Sequence, residues 1–179
     1  GASTTASGIY STVFGNNSIS SGNISIAFGQ DNIASGDGST VFGFTNTASG
    51  DVSTVFGGLN NASGDYSTAF GSDVNAYSFG EVAIGMRNTI YTPNSTSGFD
   101  STDRLIVIGN GDGGDSDAFT ILKSGLTGIG YNNFETTALS ALLQVNGDIQ
   151  QTGATSCSLS ADSDGIIICT PSDENLKTN

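Results

Sequence analysis

The sequence predicts an all-β protein, in which stacked parallel strands form a coil and a less regular β-rich segment follows. Three observations carry that expectation. A 14-residue unit recurs six times without insertion. Glycine returns at least twice in each of the first five units, and each glycine would cost about 1 kcal/mol in a helix interior. Between the glycines stand short β-prone cores such as Ser-Thr-Val-Phe, bounded by polar turn residues.

The units begin at Ala6, Ser20, Ala34, Ala48, Ala62 and Ala76. Gly15, Gly29, Gly43, Gly57, Gly71 and Gly85 form one column, and Gly8, Gly22, Gly36, Gly50 and Gly64 a second. Phe14, Phe28, Phe42, Phe56 and Phe70 form an aromatic column that Ile84 completes. Stacked coils would share backbone hydrogen bonds at about 4.8 Å per unit, so six units would be roughly 30 Å long. Gly1 stands in register with Gly15, which leads us to expect that the natural chain continues upstream.

Strand alternation puts Thr12 with Phe14 on one face and Ser11 with Val13 on the other. The column of Val13, Ala27, Val41, Val55, Ala69 and Ala83 is small and apolar throughout. Both faces are therefore apolar and both need cover. The expected arrangement has the Phe column, with the threonines Thr12, Thr40, Thr54 and Thr68 beside it, lining a thin core. The Val/Ala column then faces outward and is buried between identical chains around a symmetry axis.

Composition excludes several functions. The chain has no His and only 4 Lys plus Arg, so residues for acid–base chemistry near neutral pH are scarce. A net charge of −13 leaves no basic stripe for nucleic acid and repels an anionic membrane surface. No apolar run approaches the roughly 20 residues of a membrane span. A slim 14-residue coil leaves no groove for the paired carboxylates of a polysaccharide-degrading enzyme. Ice binding by the threonine column is disfavoured by the interruptions at Ile26 and Val82. The repeated Asp37, Asp51 and Asp65 read as turn residues chosen for conformation.

The repeat ends near Thr89. Residues 90–103, with Pro93, read as a junction, and 104–171 as a β-rich neck or knob. Strands are expected at 104–109, 118–123 and 143–149, a turn from Gly128, and a short helix at 135–143 competing for the start of the last strand. Asp112, Asp115 and Asp117 lie in a Gly-rich turn and are the candidate calcium ligands. No Glu stands where a calcium loop needs its bidentate ligand, so a solvated turn is the preferred reading and no cofactor is otherwise expected. Cys157 and Cys169 are spaced for a hairpin disulfide in an oxidising compartment, or are two free thiols.

The units resemble the head repeats of trimeric autotransporter adhesins, the YadA-like left-handed parallel β-roll, whose motif runs small-Ser-Gly and then Ser-Val-Ala-Ile-Gly. Glu81-Val82-Ala83-Ile84-Gly85 matches that motif best, and the resemblance covers residues 1–89. It implies a homotrimeric head engaged in adhesion, and a β-rich neck or knob that is trimeric too. The second half resembles the region before an intramolecular chaperone in phage tail fibres and tailspikes, on residues 118–123, 128–130 and 143–147. Ser172-Asp173-Glu174-Asn175-Leu176-Lys177 resembles the opening of an endosialidase-type chaperone domain, making residues 172–179 its stub. That family cuts itself just before the serine, so the resemblance makes Ser172 and Lys177 the self-cleavage pair. Cleavage would need the rest of that domain to position them. The expected protein is a structural and adhesive part of a homotrimeric extracellular fibre, on a virion or a bacterial cell surface. Its partner would be a host or cell-surface receptor, glycans included.

Overall fold

A coil of 14 residues encloses a cross-section so narrow that side-chain volume decides which face of each strand turns inward. The structure, a computed structural model, describes residues 3–132, 134 and 143–146, and the backbone of 157–161 and 167–171. Each repeat contributes one short and one long strand. In chain order these are β1 (Thr5–Ala6), β2 (Thr12–Asn16), β3 (Ile19–Ser20), β4 (Ile26–Gln30), β5 (Ile33–Ala34), β6 (Thr40–Phe44), β7 (Thr47–Ala48), β8 (Thr54–Gly58), β9 (Asn61–Ala62), β10 (Thr68–Ser72), β11 (Asn75–Ala76) and β12 (Val82–Met86). The short strands stack in parallel as one sheet and the long strands as another. Every pairing between repeats is offset by one unit, as in Phe28↔Phe42 and Ala34↔Ala48. The all-β solenoid expected from the repeat is thus the observed fold, and no α-helix occurs among the described residues.

The expected facing of the long strands is reversed. Ala27, Val41, Val55, Ala69 and Ala83 are fully buried and pack against Ala34, Ala48, Ala62 and Ala76 of the short strands. The phenylalanines point away from this core, as do the threonines beside them. Phe14 is 70% exposed, Phe42 and Phe56 37%, and Phe70 57%. Alanine and valine fit between two sheets of so tight a coil and phenylalanine does not.

Main-chain groups of the turns find side-chain partners inside the coil. Asn32, Asn46 and Asn60 are buried at one position of successive coils. Asn46 Nδ2 donates to the carbonyls of Phe42 (3.2 Å) and Gly57 (2.8 Å), and its Oδ1 accepts from the Asn60 N–H (3.0 Å). Each asparagine therefore ties its own coil to its neighbours and serves main-chain groups that water cannot reach. Asn46→Ala strands these partners and is expected to cost about 2 kcal/mol, measured by chemical denaturation. An unchanged midpoint would contradict the ladder's role.

The large sheet does not stop with the repeat. The chain leaves β12, runs through 87–103 without a strand, and returns as β13 (Arg104–Asn110), parallel to β12 with Val82↔Ile106 and Ile84↔Ile108. β14 (Asp117–Leu122) pairs antiparallel with β13 through two register shifts, and β15 (Thr127–Ile129) pairs antiparallel with β14. β16 (Leu143–Val145) then adds in parallel to β15. The turn expected at Gly128 is therefore a strand, whose glycine makes room for the buried Phe134 ring. The expected helix at 135–143 lies outside the described residues save for its last position, Leu143, which is strand. Residues 148–179 form a separate unit, in which β17 (Cys157–Ala161) and β18 (Ile167–Pro171) make an antiparallel hairpin.

Candidate interaction face and polar plug

The outward face of the long strands carries a regular column of exposed and half-buried aromatic rings. Phe14, Phe28, Phe42, Phe56 and Phe70 stack ring on ring, with neighbouring centroids 5.1–6.3 Å apart. Phe42 and Phe56 lie within 3° of parallel. Thr40, Thr54 and Thr68 flank them on the same face. The ring column beside the hydroxyls prevents a flat threonine array. Apolar stripes this regular are avoided on the water-facing surface of isolated proteins.

A second ladder runs along a turn edge. Asp37 Oδ1 accepts from the Asn23 N–H (2.8 Å), Asp51 Oδ1 from the Asp37 N–H (2.9 Å), and Asp65 Oδ1 from the Asp51 N–H (2.9 Å). These carboxylates replace the backbone acceptor that the turn lacks, in keeping with the conformational reading of the column.

Where the repeat ends, the coil is closed by buried polar groups. Glu81 occupies the position held by the buried serines Ser25, Ser39, Ser53 and Ser67 in earlier coils. Its Oε2 accepts from the Tyr77 and Ser78 N–H groups, both at 2.8 Å, and from the Tyr91 hydroxyl at 3.2 Å. Arg104, also fully buried, donates from Nη1 to the Thr89 carbonyl (2.8 Å) and from Nη2 to Asp117 Oδ2 (3.1 Å). Its guanidinium lies 4.4 Å from the Tyr91 ring centroid. Asp117 accepts further bonds from the Thr89 N–H (2.8 Å) and hydroxyl. Lys123 Nζ donates to Ser78 Oγ (3.1 Å) and stands 4.0 Å from Asp103 Oδ2, and burial lowers its pKa.

Burial pushes the Glu81 carboxyl from its ordinary 4.5 up to about 7, against the opposing pull of its hydrogen bonds and of Arg104. The folded chain therefore holds this proton more tightly than the unfolded chain does. Stability from this group is complete below pH 4.5, falls as pH rises towards 7, and stays low above. The loss is on the order of 3 kcal/mol. Glu81→Gln keeps the acceptor without the ionisation. The variant should melt like the parent at pH 4.5 and above it at pH 8, and equal melting at both pH values would contradict this assignment.

The sequence-predicted site residues do not converge. Asp112 and Asp115 are exposed, whereas Asp117 is buried on Arg104 and Thr89. Among the described residues no group of three or more acidic, Cys or His side chains is placed to hold a metal ion. Ser172 and Lys177 lie outside the described residues. The hairpin register sets Cys157 opposite Pro171 and Cys169 opposite Leu159, and the cysteine side chains are outside what is described. Sequence reasoning missed the plug, although one signal was present: Glu81 breaks a column of serines.

Comparison with known families falls on the roll. The family model described as the YadA head domain repeat (2 copies) matches residues 1–18, 6–32, 20–46, 34–58 and 48–73. The N-terminal segment is thus similar to YadA-type adhesin heads. No curated protein and no solved structure matches the chain.

Proposed function

From the YadA-type head as premise, we propose that this chain is the adhesive and structural head of a homotrimeric extracellular fibre, and that its work is binding rather than catalysis. One observation carries the reading. The phenylalanine column faces away from the chain's own core, at the same spacing in every coil, and only other copies offer a surface of the same period and chemistry. Adhesin repeats favour a bacterial cell surface. The likeness of residues 118–123, 128–130 and 143–147 to phage fibres favours a virion, and the tail at Ser172–Lys177 favours a phage or a bacterial relative. In either setting the fibre presents a receptor-binding surface to a host or cell surface, with glycans among the candidate ligands. The head needs no resident cofactor. Self-cleavage before Ser172 belongs to a chain that carries a whole chaperone domain.

Native mass spectrometry of the chain tests the reading directly. Three copies per particle are expected, and a stable folded monomer at micromolar concentration would overturn it.

A further inference from the structure

We propose that the strands beyond the repeat extend the same interface between copies, so that one apolar strip runs across all ten strands of the large sheet. The proposal rests on the homo-oligomeric reading above and adds where the contact lies and how far it reaches.

The pairing registers carry it. Phe70 pairs with Ile84, Ile84 with Ile108, Ile108 with Phe119, Phe119 with Ile129 and Ile129 with Val145. Directly paired residues lie on the same face, so the phenylalanine column continues as Ile84, Ile108, Phe119, Ile129 and Val145 without a polar interruption. The parallel column changes character at the same place. Threonines flank the phenylalanines within the repeat except at Ile26, whereas Val82, Ile106 and Ile121 flank the continuation through β14, before Thr127 and Leu143. The strip is therefore widest where the repeat has ended. With ten strands at about 4.8 Å spacing it is roughly 43 Å long.

Among the described residues, the other side of these strands is the fully buried one. Val107 and Thr120, which alternate with the strip, are buried within the molecule. Ile106, Ile108, Phe119 and Ile121 are half-buried, and Ile129 and Leu143 are exposed.

The occupant is a second copy, for two reasons on the molecule itself. The phenylalanine column meets a matching column only in another roll, and the strip continues that contact without a break. Charge points the same way. The chain carries a net −13, so copies repel over most of their surface. No position of the strip bears a charge, which makes it the surface on which like copies approach at least cost.

The test uses the full chain and two paired substitutions to threonine, whose β-branched side chain suits a strand. Ile108→Thr with Phe119→Thr alters the continuation, and Phe42→Thr with Phe56→Thr alters the repeat. Sedimentation equilibrium reads association and circular dichroism reads folding. Both pairs are expected to weaken association more than about a hundredfold. If only the Phe42/Phe56 variant dissociates, the extension is wrong and the homo-oligomeric reading stands. A wild-type chain that is itself monomeric overturns both. Should the Ile108/Phe119 variant lose its β signal, hydroxyl-radical footprinting of the wild-type chain decides. Labelling of Phe119 that falls as rising concentration drives association, while that of the exposed Phe99 stays constant, supports the proposal, and labelling of Phe119 that does not change with association overturns it.

Discussion

Alanine in place of Gly57 is expected to lower the melting temperature by about 10 °C, corresponding to roughly 4 kcal/mol. Gly57 has φ of +119°, a conformation that residues with a Cβ avoid. A methyl group there would overlap the Gly71 carbonyl and come within 2.9 Å of Asn60 Nδ2. Neither neighbour can yield, because the carbonyl belongs to the next coil and already accepts the Asn60 amide hydrogen bond at 2.8 Å. The damage therefore spreads to the stacking of two coils and to the asparagine ladder. Gly114→Ala is the matched control: nothing lies within 4 Å of its added Cβ, and its φ is not in the left-handed range. That variant should melt within a degree or two of the parent. Equal melting of the Gly57 and Gly114 variants would remove the steric argument.

Arg104→Met is expected to cost on the order of 4 kcal/mol, because a buried carboxylate would lose its cation. Arg104 and Asp117 are both fully buried and meet at 3.1 Å, and the thioether cannot replace the bonds to Thr89. Most of the loss comes from leaving Asp117 charged in a dry site. Asp117→Asn in the Arg104→Met background should then recover at least half of it, since the amide oxygen still accepts the Thr89 N–H. Purely additive losses in the double variant would show that the two side chains are not coupled.

Much of the fold is legible in residues 6–89 because the signal is repeated. A glycine at every fourteenth position, a small apolar residue two before it and a small-Ser-Gly turn leave one solution, a stacked β-coil. The inward direction is not legible from hydrophobicity, since Val41 and Phe42 are both apolar. Volume decides, and it places the smaller side chain inside. Asn46 looks like any other turn asparagine in the sequence. Its role appears only when the coil brings Phe42 and Gly57 within reach of one amide. Strands β13 and β14 are visible as the apolar runs at 104–109 and 118–123, but nothing local says that β13 joins β12 in parallel. Asp112, Asp115 and Asp117 look equivalent in one dimension, and burial separates Asp117 from the other two.

The ladder bonds have a genetic consequence. Asn23 to Asp37, Asp37 to Asp51 and Asp51 to Asp65 each link residues 14 apart, as do the strand registers and the asparagine contacts. A duplication or deletion of 42 nucleotides therefore hands every severed bond to an equivalent residue. The roll can lengthen or shorten in steps of about 4.8 Å while the Glu81–Arg104 closure is untouched. Reach towards a target could then change by unequal recombination within one gene, in increments that the fold does not register as mutations.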